Sequence, residues 1–246
     1  MLIDNPVKRL KEDIDALIRA NTELTKEKST NYSIIEVLKK QYGYDADSSF
    51  YIALENWILL GKLNNSARER VEKLGNVSDF HIRPFTLLDR AFKTSNLDNY
   101  FNNIKPMLEG ETSVALNFCM DLVFRDNDSK EVDVIKINDI KKDIEGLLNK
   151  IESYEIDEEI RLFVFNQLEV IHKVLHYYNL YGIEGIEEVL EKTIGAICRR
   201  YNTSEVFRES NIKNDLFDIL GKIDILVGLY TSVPPLLQQI SDIIIK

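Results

Sequence analysis

Helix-breaking residues are scarce in this chain. Ten glycines and five prolines in 246 residues are roughly half the usual share of those two types. That excludes a collagen-like chain and a Gly-rich nucleotide fold, and it argues against an all-β sandwich. Cysteine is scarce too: Cys119 and Cys198 form no CxxC pair, which fits a reducing cytosol. Residues 1–6 have no basic region leading into a long apolar core, so no signal peptide is expected. The longest uncharged tract near the end, 225–241, is broken by Pro234-Pro235 and Gln238-Gln239. A spanning helix needs about 20 mostly apolar residues, so no membrane span is expected and the protein is expected to be cytoplasmic. Basic charge is in deficit, with 31 Lys and Arg against 41 Asp and Glu, which argues against a broad nucleic-acid footprint.

What is present is a soluble globular balance, 44% hydrophobic and 29% charged, and it points to long helices. Asn5-Pro6 is a helix start, with Asn as N-cap and Pro at the first helical position. From there Ile3, Val7, Leu10, Ile14, Leu17, Asn21 and Leu24 fall in steps of four and three, a heptad seam. Asn21 stands where a buried polar side chain can set register and oligomer state. Two uses are open, one helix of an intramolecular hairpin or a short self-associating coiled coil with Val7, Leu10, Ile14, Leu17, Asn21 and Leu24 as contacts.

Further helices are predicted over 32–42, with Gly43 as stop, from about Asp47 to Gly61, and over 67–74. Pro84 is expected to open a helix through Phe92, and 97–108 and 112–124 are expected to be helical. Val132-Asp-Val-Ile-Lys-Ile137 alternates like a strand but has no evident partner. Arg125-Asp-Asn-Asp-Ser-Lys130 is polar and turn-forming, the best linker. Beyond it, helices are predicted over 138–152, 157–178, 183–200 and 205–229, with a last one after Pro234-Pro235. The helix over 157–178 is apolar around most of its circumference, which predicts a central helix covered on several sides. The expected fold is therefore an all-α multi-helix bundle, with an N-terminal helical region, 1–125, and a C-terminal bundle, 131–246.

Chemistry-bearing motifs are few. Glu169, His172 and His176 share one helical face as an ExxH with a histidine one turn on. A di-iron bundle needs a second ExxH and two more glutamates. His81, the remaining histidine, has Ser78 at the required position, so no metal and no cofactor are expected. No arginine precedes any histidine by five to seven residues, so the Arg-x4–6-His motif of HEPN-type ribonucleases is absent. No GxSxG, HExxH, Walker or GxGxxG motif occurs. Gly182-Ile-Glu-Gly185 reads as the end of one helix and the start of the next.

The run Leu175-His-Tyr-Tyr-Asn-Leu-Tyr-Gly-Ile-Glu-Gly-Ile-Glu-Glu-Val-Leu-Glu-Lys-Thr-Ile-Gly195, with Leu220-Gly-Lys-Ile-Asp-Ile-Leu-Val-Gly228, resembles a broad set of uncharacterised bacterial helical proteins. They look like products of mobile or phage-defence loci. The resemblance covers about 138–246 and implies a context, with no catalytic motif to carry over. The expected function is a non-enzymatic interaction protein, such as a regulatory subunit of a phage-defence or toxin–antitoxin system. It would engage a protein partner or a second copy through the N-terminal helix. The alternatives are a metal-dependent or nuclease-type enzyme with an unrecognised site, and a membrane-acting effector using the apolar C-terminus.

Overall fold

A computed structural model describes residues 2–3, 5–27, 30–44, 49–75, 77–93, 96–125, 131–132 and 134–230. The fold is all-α. The chain divides into two compact units, Asp4–Ser129 and Lys130–Lys246, the second also taking Met1–Ile3.

The first unit is built from α1 (Pro6–Glu27), α2 (Ile34–Tyr42), α3 (Ser49–Glu72), α4 (Asp79–Phe92), α5 (Lys105–Leu108) and α6 (Glu111–Arg125). Asn5 caps α1, its Oδ1 accepting the Val7 amide at 3.0 Å and the Lys8 amide at 3.2 Å. Its Nδ2 donates to the Met120 carbonyl of α6 at 3.2 Å, which ties the cap to the core. Val7, Leu10, Ile14 and Leu17 are fully buried where α1 packs on α2, α3 and α6. Asn21 is buried too, and its Nδ2 reaches Asn102 Oδ1 at 3.4 Å, while Leu24 is half-buried. The seam is thus filled inside the unit, and its buried positions offer a partner no surface. The expected contacts Val7, Leu10, Ile14, Leu17, Asn21 and Leu24 are core and core-edge residues.

Four sequence readings are corrected in this unit. Gly61 does not end a helix: α3 runs through it to Glu72, taking in the start of the separate helix expected over 67–74. A Cβ at Gly61 would stand 3.7 Å from Phe92 Cβ, so this glycine brings α4 close rather than stopping α3. Beside it, Trp57 meets the Phe92 ring edge-on at 5.1 Å. Pro84 lies inside α4 rather than at its start. Residues 97–100 are not helical. The Leu97 and Asn99 carbonyls instead accept the first amides of α2, Ile35 and Ile34, at 3.0 and 2.9 Å. Pro106 sits at the start of α5 instead of disturbing a helix end.

The second unit holds α7 (Val134–Lys150), α8 (Glu158–His176), α9 (Tyr178–Thr203), α10 (Glu205–Glu209) and α11 (Ile212–Tyr230). The strand tract is corrected as well. Glu131–Val132 (β2) does find a partner, Leu2–Ile3 (β1), in a two-residue antiparallel ladder, and α7 takes the rest from Val134. Gly182 adopts φ 67°, ψ −171°, which breaks α9 as its sequence context indicated. The single helix expected over 205–229 is two, separated at Ser210 and Asn211. The linker after Arg125 and the helix expected after Pro234-Pro235 lie outside the described residues.

The largest correction is α8. Ile160, Val164, Leu168, Ile171, Val174 and Leu175 enter the core, but Leu162 is 52% and Phe165 40% exposed. Among the described residues the helix is therefore covered on one side, and Leu162 and Phe165 face outward. Val170 is exposed beside it.

Candidate protein-docking groove

Packing α4 against α6 leaves a groove of about 460 Å³ in the first unit, with Pro84 and Ala115 in its floor. α4 contributes Asp79, Phe80, Arg83, Pro84 and Leu87, and α6 contributes Glu111, Thr112, Val114 and Ala115. The residues recur at three- and four-residue intervals, so each helix turns one continuous stripe toward the groove. Phe80 is 48%, Val114 52% and Phe118 54% exposed. The rings of Phe80 and Phe118 meet edge-to-face across the two helices, 5.8 Å between centroids. The apolar surface therefore continues past the cavity along α6.

The polar groups stand at the rim. Arg83 Nη2 lies 3.4 Å from Glu111 Oε2, an exposed pair that adds little stability but bridges the two walls. Pro84 carries no N–H, so it cannot make the helical bond to the Phe80 carbonyl one turn back. An acceptor in the α4 wall thus lacks its usual partner. At the start of α4, His81 Nδ1 accepts the Ser78 amide at 3.1 Å, a local cap rather than a catalytic arrangement.

The residues singled out by sequence fall elsewhere. Glu169, His172 and His176 do share the outer face of α8. His172 Nε2 meets Glu145 Oε1 of α7 at 3.2 Å, and the two imidazoles stack at 6.2 Å. Burial, then the Lys141 and His172 charges, hold the His176 imidazole below its usual range, with Glu145 opposing. Among the described residues no group of three or more His, Cys, Asp and Glu side chains is placed to hold a metal. Glu145 was not visible as a partner in sequence, because it lies 27 residues from His172 on another helix. Cys119 is fully buried, its Sγ donates to the His81 carbonyl at 3.4 Å, and burial raises its thiol to about 11. A thiol held neutral in this way is a poor nucleophile. Among the described residues no helix is long and apolar enough to cross a membrane.

Two further polar features lie away from this groove. Lys142, Asp143, Lys150, Asp215, Asp218 and Lys222 line a shallow groove between α7 and α11. Lys222 Nζ bonds Asp143 Oδ2 at 2.6 Å and Tyr154 donates to Asp215, so much of the charge is paired internally. Within the first unit, Asp13 is buried on α1 one turn from Arg9, and its Oδ2 has no hydrogen-bond partner among the described residues. Burial raises its carboxyl to about 7, with Arg9 opposing and Glu12 adding to the rise.

No protein-family model, no curated protein and no solved structure matches this chain.

Proposed function

We propose that this protein is a non-enzymatic interaction protein whose α4–α6 groove receives the apolar face of a helix from a protein partner. The observation that carries this reading is the cluster of Phe80, Val114 and Phe118, large apolar side chains held exposed and in register beside a groove with an apolar floor. Isolated exposed apolar residues are ordinary on soluble proteins, but a contiguous set rimmed by charge marks an interaction surface. A groove between two helices matches the spacing of anchors at i, i+3 or i+4, and i+7 on a bound helix. Small-molecule sites enclose most of their ligand and converge polar groups upon it. Here the apolar surface runs out along α6 and the charges stay at the rim. The net charge of −10 favours a partner helix with basic flanks, through faster encounter. The likeness of 138–246 to proteins of bacterial mobile or defence loci supports an accessory role in a phage-defence or toxin–antitoxin system, with the partner encoded nearby.

The test is binding of the product of the adjacent gene to full-length protein by isothermal titration. Phe118→Glu and Val114→Glu are expected to weaken binding by at least about tenfold, since apolar anchors of this kind contribute ~2 kcal/mol each. Ile225→Glu, an exposed apolar control on α11, is expected to leave it unchanged. Equal effects at all three positions would remove the groove from the interface.

A further inference from the structure

The two ends of the α4–α6 groove differ in their polar groups. Phe80 meets Phe118, His81 meets Cys119 and Arg83 meets Glu111, so the two helices run antiparallel. At the Glu111 end the charges are paired, Arg83 with Glu111. At the Phe118 end acceptors collect. Asp79 precedes Phe80, and Asp121 stands nearly one turn beyond Phe118. Both are exposed, and among the described residues neither has an ion-pair partner. Arg125, one turn past Asp121, adds one positive charge there. The third acceptor is the Phe80 carbonyl. A helical carbonyl points along the axis toward the residue four ahead, so this one lies between Phe80 and Pro84, both of which line the groove. Pro84 has no N–H to give it. The next carbonyl, of His81, accepts the Cys119 thiol of α6, so this turn of α4 already takes a donor from outside its own helix.

We infer, resting on the docking role proposed for this groove, that the helix it receives carries a lysine or arginine one turn from its apolar anchors, whose N–H groups bond the Phe80 carbonyl and pair with Asp79 or Asp121. Either side chain offers several donors, so one residue serves both the carbonyl and a carboxylate. Its aliphatic stem lies against Phe80 and Phe118 while its charge reaches the acceptors. An apolar residue at that place would cover the carbonyl and leave it unbonded, which costs affinity, and an acidic one would add repulsion. The Glu111 end, with its charges already paired, has no matching demand. The base therefore also fixes which way the partner helix lies in the groove.

Synthetic stapled helices binding the full-length protein test this, by fluorescence anisotropy at about 0.15 M salt, where long-range attraction is screened. Each helix carries leucines at i, i+4 and i+7 and one lysine. In one isomer the lysine stands one turn beyond the leucines on their own face. In the other it stands on the opposite face, so net charge is equal. The first isomer is expected to bind at least about tenfold tighter, the worth of one charge-assisted hydrogen bond. Asp79→Asn with Asp121→Asn, at two exposed positions, should remove most of that advantage with an unchanged circular dichroism spectrum. Pro84→Ala, which supplies the missing N–H, should reduce it as well. Phe118→Glu should abolish binding of both isomers. Equal affinities for the two isomers, each lost with Phe118→Glu, would overturn this inference and leave the groove reading standing. An advantage that survives both the paired Asp substitutions and Pro84→Ala would overturn it too, by placing the lysine elsewhere. Binding indifferent to Phe118→Glu, or no binding of either isomer, would overturn the groove reading and this inference with it.

Discussion

Replacing Asp13 with Asn should change how stability depends on pH, and the size of the change follows from its burial. Asp13 is buried on α1, and its carboxyl is raised from 3.8 to about 7, chiefly by loss of water. A carboxyl raised on folding stabilises the folded state fully below its unfolded pKa and loses that contribution as pH rises through its folded pKa. The sign is therefore opposite to that of a salt-bridged aspartate, and the first unit should weaken from about pH 4 to beyond pH 7. A shift of about three pH units at 1.36 kcal/mol each gives roughly 4 kcal/mol, of which roughly 3 kcal/mol falls between pH 5 and pH 8. Asn keeps the shape and does not titrate, so Asp13→Asn should flatten that slope whatever its stability at one pH. Trp57, the single tryptophan, is buried in the same unit, so its fluorescence in urea reports this transition. Arg9→Met should extend the wild-type slope to higher pH, because Arg9 is the charge that holds the Asp13 carboxyl down. Parallel stability–pH curves for wild type and Asp13→Asn would refute the assignment.

Other perturbations probe separate parts of the fold. A Cβ at Gly185 would stand 2.7 Å from Tyr181 Cβ, so Gly185→Ala should cost about 1–3 kcal/mol. Circular dichroism in urea should show that loss. Cys198 is part-exposed and Cys119 buried, so Ellman's reagent should label one thiol of the native protein and reach the second only in denaturant. Asn21→Leu should leave the mass by light scattering unchanged, because Asn21 already bonds Asn102 inside the unit. A new oligomer caused by that substitution would reinstate α1 as an interface.

Local signals carried the fold a long way, and the failures have physical causes. Asn5-Pro6 and Gly43 at φ 72° are short-range devices, legible because each acts within a few residues. Gly61 and Pro84 misled because both are helix-ending residues by propensity, and packing overrode them. At Gly61 the missing side chain admits Phe92, and at Pro84 the helix continues past the lost bond. The seam over α1 was visible as a pattern, but a heptad does not say whether the covering helix belongs to the same chain. α8 failed in the reverse direction: an apolar circumference signals burial only when something covers it, and Leu162 and Phe165 face outward. The groove was illegible for a simpler reason. Phe80 and Phe118 meet only because α4 and α6 pack together, and neither stretch alone differs from an ordinary amphipathic helix.

Site-specific photo-cross-linking in cells tests the docking groove most directly. A photoreactive amino acid in place of Phe118 is expected to join the protein to one partner, at residues forming the apolar face of a helix. The same group at Lys62, exposed on α3, is expected to give no such product. Identical products from both positions, or none from position 118 while the partner remains bound, would contradict the groove as the docking site.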